Sequence, residues 1–196
     1  MPDIFCLNHF LETAECARLC AELRDSSASA ATVLGTEGRR VEGQMRRAMT
    51  LQAAPTTVNA VRFRLERNRA DMARYFAHPL GAIEAPQFLR YRKGDYFVAH
   101  QDGNTPLVRD ASLHRKVSIV IFLNAPGGDE DREYSGGALV FHDSGDTRLQ
   151  RLAYAPAIGT LLAFRSETTH EVLPVTGGNR YTVVSWYRDP TEPVND

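Results

Sequence analysis

The stretch Tyr96-Phe97-Val98-Ala99-His100-Gln101-Asp102 opens on residues that favour a strand and ends on two metal-ligand types, a histidine and a carboxylate, set two apart. On an extended backbone such side chains lie on one face, so His100 and Asp102 can grip a single ion while Gln101 points away. That chelate needs a third ligand, and His170 is the candidate. It opens the run His170-Glu-Val-Leu-Pro-Val175, which is expected to turn at Thr176-Gly177-Gly178-Asn179 because Gly and Asn tolerate positive φ. The chain then continues as Arg180-Tyr-Thr-Val-Val-Ser-Trp-Tyr187, so a hairpin would set His170 beside the strand carrying Arg180. On that strand Arg180, Thr182, Val184 and Trp186 share one face, giving a pocket with a cation, a hydroxyl and an aromatic wall that suits a small dicarboxylate. Two histidines and one carboxylate are the protein ligands of a facial-triad non-haem Fe(II) site, which leaves coordination positions open for a co-substrate and O2.

Working outward, the pattern from Pro86 onward is of short strands, at residues 87–92, 96–100, 117–124, 138–142 and 159–164, closed by the hairpin. Short strands with Gly and Pro punctuation indicate a sandwich or jelly roll. Ahead of them, residues 4–7 read as a strand, and Thr13 reads as the N-cap of a helix reaching Arg24 with Ala17, Cys20 and Leu23 on its apolar face. Residues 25–38, rich in Ser, Ala, Thr and Gly, read as a loop. Thr57 is expected to cap a longer helix to Ala77 with Val58, Val61, Leu65, Met72 and Phe76 near one stripe. The fold class is therefore α+β, mainly β, with a jelly-roll core and N-terminal supporting helices. The 196 residues fit one domain, of which 1–85 would be the helical support and 86–188 the catalytic core.

With 23 basic and 24 acidic residues the formal charge is −1, so no global field favours nucleic acid. No stretch approaches the roughly 18 apolar residues of a membrane helix, and the N-terminus lacks a basic region followed by an apolar core. The chain reads as soluble and cytoplasmic, with neither nucleic-acid nor membrane partners. Cys6, Cys16 and Cys20 form no disulfide framework, which implies a reducing compartment; Cys16 and Cys20, four apart on one helix face, are read as small buried hydrophobes, with a metal contact as the alternative. His9, His78, His114 and His142 have no partner at ligand spacing and are taken as surface or structural residues. Arg39, Arg40, Arg46 and Arg47, with Arg62, Arg64, Arg67, Arg69 and Arg74, read as a solvated face paired with Glu66 and Asp71, with a surface for an acidic substrate as the alternative. The connection from Gly103 to Lys116 starts beside two ligands and is expected to close over a substrate.

Taken together, Tyr91 with Gly94 ahead of His100-Gln-Asp102, the run Ser118-Ile-Val-Ile-Phe-Leu-Asn124, Tyr134-Ser-Gly-Gly-Ala-Leu139, and His170-Glu-Val followed by Arg180 and Trp186 form an ordered set. This set resembles the iron(II)/2-oxoglutarate dioxygenases, in particular the prolyl-hydroxylase branch, over roughly residues 86–188. The resemblance implies that His100, Asp102 and His170 bind Fe(2+) and that Arg180 pairs with the distal carboxylate of 2-oxoglutarate, a planar match a lysine could not copy. It further implies that Thr182 adds a hydroxyl to that carboxylate, that Tyr91 and Trp186 line the co-substrate pocket, and that O2 is consumed, with ascorbate as an optional further cofactor. Phe122 departs from relatives that use a tyrosine hydroxyl at that point, and Thr182 is positioned to compensate. The implied reaction is hydroxylation of an unactivated C–H bond with decarboxylation of 2-oxoglutarate to succinate and CO2. The substrate is expected to be a prolyl or similar residue in a protein or peptide, with a small metabolite or free amino acid as the alternative. The intact triad disfavours a third reading, a non-catalytic binding module on the same fold.

Overall fold

Two long strands set the architecture. In the computed structural model, which describes residues 2–191 apart from 36–37, 41–42, 104–110, 128, 130–131, 143–150 and 155, these are Arg115–Phe122 and Val175–Arg188. In chain order the elements are β1 (Ile4–Leu7), α1 (Thr13–Arg24), β2 (Ala28–Ala30), β3 (Val33–Gly35), β4 (Gly38–Arg40), β5 (Arg46–Arg47), β6 (Met49–Leu51), α2 (Pro55–Tyr75), β7 (Gln87–Arg92) and β8 (Tyr96–His100). A 3-10 turn (Ala111–His114) precedes β9 (Arg115–Phe122), followed by β10 (Tyr134–Gly136), β11 (Leu139–His142), β12 (Arg151–Tyr154), β13 (Leu161–Arg165), β14 (His170–Val172) and β15 (Val175–Arg188). The major sheet runs β1-β13-β9-β15-β7-β6-β2 with β10 added on β15, and the minor sheet runs β12-β11-β14-β8-β5. The result is the expected double-stranded jelly roll with two supporting helices.

The period of two in β15 sorts its side chains between two cores. Tyr181, Val183 and Tyr187 join Leu65 and Met72 of α2 and Leu19 and Leu23 of α1 in one apolar cluster between the helices and the major sheet. Leu89, Tyr91, Phe122, Phe141, Phe164 and Val172 fill a second cluster between the two sheets. Strands apolar on both faces, such as Lys116-Val-Ser-Ile-Val-Ile-Phe122, are needed only in a sheet covered on both sides. The Tyr187 hydroxyl donates to the Leu65 carbonyl and ties the helix layer to the sheet. Cys16 and Cys20 are buried in the helix-side cluster, where burial pushes their thiols up to about 12 and about 11. Cys6, by contrast, is exposed.

Several local expectations are corrected. Residues Thr176 to Asn179 make no hairpin turn: Gly177 and Gly178 lie inside β15 and pair with Ser135 and Tyr134 of β10. The chain does not reverse there: β14 pairs with β8 and β15 with β7 in one continuing antiparallel register, and the run passes at Leu173-Pro174 from the minor sheet to the major one. The glycine signal was real, since Gly178 has φ +65°, but it serves a close strand pairing rather than a loop. The expected loop at 25–38 contains β2 and β3, and β2 is three residues long, exposed, and visible only through its pairing with β6. Neither threonine is an N-cap: α1 starts at Thr13 after Glu12, and α2 starts at Pro55, where a proline's missing N–H is no loss. The α2 terminus is capped from α1, because Glu22 accepts from the Ala54 N–H at 2.7 Å and from the Thr57 hydroxyl at 2.9 Å. A carboxylate there also complements the positive end of the helix dipole. No described helix is long and apolar enough to cross a membrane. Of the connection after Asp102, residues 104–110 lie outside the described residues.

Candidate active site

His100 ends β8 and His170 begins β14, and the two are direct cross-strand partners in the minor sheet. Asp102 follows β8, held by its N–H donating to the Ser166 carbonyl at 2.9 Å. Its carboxylate faces both imidazoles, with His100 Nε2 3.4 Å from one oxygen and His170 Nε2 3.6 Å from the other. All three donor atoms lie within 4.8 Å of one another. An ion held at the roughly 2.1 Å typical of imidazole and carboxylate donors keeps neighbouring donors about 3 Å apart, so a small contraction closes this set on a metal.

The hydrogen bonds show what the cluster is built for. Each Nδ1 lies against a carbonyl two residues back, His100 at 2.8 Å from Val98 and His170 at 2.9 Å from Thr168. A carbonyl only accepts, so each Nδ1 carries a proton and each ring is held with its Nε2 turned toward Asp102. Burial, reinforced by His100, lowers His170 to about 4, so it is neutral at pH 7. Burial pushes the Asp102 carboxyl up, but His170, His100 and Arg115 outweigh it and hold the group well below the usual carboxylate range. Two imidazoles and a half-buried carboxylate converging on one point form a set of donors suited to a cation. Phe97, stacked on His100 at 3.5 Å, and Phe164, edge-on to His170 at 4.7 Å, fix the rings.

The cluster opens into a cavity of about 320 Å³ between the sheets. Arg180, Thr182 and Trp186 of β15 and Tyr91 of β7 line its opposite wall, so all seven residues singled out in the sequence meet in one space. They meet across two sheets rather than through a hairpin. Arg180 is only 1 % exposed, and among the described residues its Nε and Nη2 have no hydrogen-bond partner; the Thr182 hydroxyl beside it is likewise unpartnered there. Tyr91, Phe122 and Tyr134 surround the guanidinium with ring centroids 5.3, 5.2 and 6.0 Å away. A buried guanidinium with empty donors is several kcal/mol out of balance unless an anion fills it. The arrangement fits a dicarboxylate reaching from the metal cluster to Arg180, and Phe122 offers it no hydroxyl. Gly137 makes room: its φ is +61°, and a Cβ there would lie 3.0 Å from Arg180 Cδ.

Sequence reasoning missed two parts of the site. Arg115 donates to both oxygens of Glu84 at 2.8 and 2.7 Å, covers the Trp186 ring at 3.6 Å, and reaches the Asp102 carbonyl at 3.5 Å. Its partner lies 31 residues away, so no spacing rule reveals it. Arg46, expected on a solvated face, is 8 % exposed and lines the cavity. Alternation on β5 sends Arg47 outward to Asp95 and Arg46 inward, which a run of arginines in a polar segment does not disclose. Arg69 and Arg74 do pair with Glu66 and Asp71 on the exposed face of α2. The side chains of Arg39 and Arg40 lie outside the described residues. His142 sits 3.2 Å from Glu171 on the outer face of the minor sheet, and none of the other three histidines joins the cluster.

A jelly roll with two histidines and a carboxylate converging in its interior defines a metal-dependent class. The chain belongs to the 2OG-Fe(II) oxygenase superfamily, whose profile matches residues 86–188. Members of that family use Fe(II), 2-oxoglutarate and O2. Over 122 residues it is 34 % identical to a PKHD-type hydroxylase of Shewanella oneidensis, covering 59 % of this chain and 50 % of that protein. A PKHD-type hydroxylase of Paracoccus denitrificans is 35 % identical over 106 residues, covering 53 % and 43 %. The chain thus spans about half the length of the curated relatives it matches. Among solved structures, a Pseudomonas putida prolyl-4-hydroxylase superposes with a TM-score of 0.70 at 22 % identity, covering 96 % of this chain and 94 % of that one. A Trichoplax adhaerens prolyl hydroxylase in complex with a hypoxia inducible factor oxygen degradation domain peptide fragment gives 0.69 at 18 %, covering 97 % and 86 %. At such identity these likenesses speak for the fold.

Proposed function

We propose that this chain is an Fe(II)- and 2-oxoglutarate-dependent hydroxylase of a prolyl or similar residue in a protein or peptide, folded as one domain over residues 1–196. The observation that carries the proposal is the pairing, across one cavity, of a His100/Asp102/His170 cluster whose ligand atoms converge with a buried Arg180 guanidinium that pairs with no described carboxylate. In this reading the three ligands hold the metal, while Arg180 and Thr182 hold the distal carboxylate of 2-oxoglutarate. Tyr91 and Trp186 flank the co-substrate, and Phe97 and Phe164 keep the ligand rings from swinging. The bound group supplies oxidative decarboxylation of 2-oxoglutarate to succinate and CO2, coupled to insertion of one O2 oxygen into the substrate C–H bond. Arg115 and Glu84, locked together, hold Trp186 and the Asp102 backbone in place.

A peptide is supported by the cavity's rim. Met45, 36 % exposed, lines the cavity, and Leu113, 38 % exposed, adjoins the lining residue Ser112, so a peptide chain would find apolar contacts at the cavity's edge. The prolyl-hydroxylase neighbours, one with a peptide bound, point the same way. The test is succinate formation by the Fe(II)-loaded protein with a panel of proline-containing peptides and free amino acids. Stimulation by a peptide supports the proposal, and stimulation by a free amino acid alone favours the metabolite reading. No 2-oxoglutarate turnover under any condition removes both.

A further inference from the structure

We infer that Arg46 forms an anion subsite for the primary substrate, so that the molecule hydroxylated carries a carboxylate near the oxidised carbon. The inference rests on the reading of the cavity above. Arg46 enters from the minor sheet, whose edge strand β5 pairs with the iron-side strand β8 in the register Arg46 opposite Phe97. Its guanidinium lies 4.8 Å from the Phe97 ring, and Phe97 in turn stacks on His100. One nitrogen, Nη1, donates to the Thr32 carbonyl at 3.1 Å, which anchors the group without neutralising it. Nε is buried with no partner among the described residues, and no described carboxylate forms an ion pair with Arg46.

The charges of the cavity single this residue out. Arg115 is neutralised by Glu84. Arg180 is assigned to the distal carboxylate of 2-oxoglutarate, whose charge together with that of Asp102 balances the divalent metal and Arg180. Arg46 alone is left over, on the wall that carries the metal ligands. A desolvated cation with a free donor is satisfied best by a carboxylate, to which the guanidinium fork is matched. Arg47, the next residue, has Asp95 within 4.0 Å on the outer face, so the unbalanced charge is a property of the inward position. That carboxylate can come from a free amino acid, a peptide C-terminus, or an acidic side chain next to the target residue. The chemistry at Arg46 is the same in each case.

The test uses the Mn(II)-loaded full chain and the fluorescence of Trp186, the only tryptophan and a lining residue of the cavity. Three matched pairs are titrated with and without saturating 2-oxoglutarate: L-proline and L-prolinamide, a short peptide ending in proline as the acid and as the amide, and an amidated peptide with Pro-Glu or Pro-Gln inside. In wild type at least one acid should bind about tenfold or more tightly than its uncharged partner, and the pair that does so names the source of the carboxylate. Arg46→Met should erase that ratio, Arg46→Lys should keep much of it, and both should bind 2-oxoglutarate as wild type does, which also shows that they are folded. No preference in any pair, whether both members bind or neither does, overturns the inference, as does a preference that survives in Arg46→Met. Loss of 2-oxoglutarate binding by wild type is a separate result that removes the reading of the site itself.

Discussion

Replacing Arg180 by methionine separates a binding role from a structural one, because the two predict opposite signs. The side chain is 1 % exposed and makes no ion pair among the described residues, and two of its nitrogens have no acceptor. In the ligand-free protein an apolar side chain of similar length removes a desolvated charge, which elsewhere is neutral or stabilising by about 1–4 kcal/mol. In the complex the same change deletes the partner of a buried carboxylate, a loss of about 2–4 kcal/mol, or about 30- to 700-fold in Kd. The assay is thermal unfolding with and without 2-oxoglutarate in the presence of Mn(II). Ligand at a hundred times Kd stabilises the wild type by about 2.7 kcal/mol, a rise in Tm of about 5–10 °C at this size. Arg180→Met should start at or above the wild-type Tm and show almost none of that rise. A variant that starts well below wild type yet keeps the full 2-oxoglutarate shift would refute the reasoning, since Arg180 would then be a structural cation.

Other expectations follow from the same geometry. Thr182→Val should weaken 2-oxoglutarate by about 1 kcal/mol, the worth of one hydroxyl hydrogen bond, with Fe(II) affinity unchanged by equilibrium dialysis. Gly137→Ala forces a Cβ into the left-handed region and against Arg180 Cδ, so the 2-oxoglutarate KM should rise while Arg180→Met/Gly137→Ala shows no further loss. His170→Ala should abolish Mn(II) binding seen by electron paramagnetic resonance and leave the circular dichroism spectrum intact. For pH, the folded-state His170 sits near 4 against an ordinary 6.5, so the unfolded chain takes up the proton first. Its contribution to the metal-free protein is complete above about pH 6.5 and is lost as the pH falls toward 4, with Asp102 adding to the loss below that. Urea midpoints that stay level from pH 7 to 5 would contradict this.

What could be read from the sequence was what depends on local spacing. His100 and Asp102 share a face because the strand period is two, and Arg180, Thr182, Val184 and Trp186 do so for the same reason. The stripe Val61, Leu65 and Met72 is a helix period. What could not be read depends on partners distant in the chain. The same Gly177-Gly178 pair can make a turn or a close strand pairing, and only β10 decides between them. The strands β2, β5 and β6 are two or three residues long and exist because a sheet edge is there to receive them. Arg46 and Arg115 look like any surface arginine until alternation on β5 and the distant Glu84 fix their direction.

The central claim is that one cavity holds Fe(II) and 2-oxoglutarate together, and anaerobic titration tests it without any primary substrate. Adding 2-oxoglutarate to the Fe(II)-loaded protein should produce a visible metal-to-ligand charge-transfer absorption that saturates at one equivalent. The band should be missing in His170→Ala and shifted to much higher concentration in Arg180→Met. A protein that binds 2-oxoglutarate equally well without metal, or that develops the same band after His170 is removed, would contradict the account.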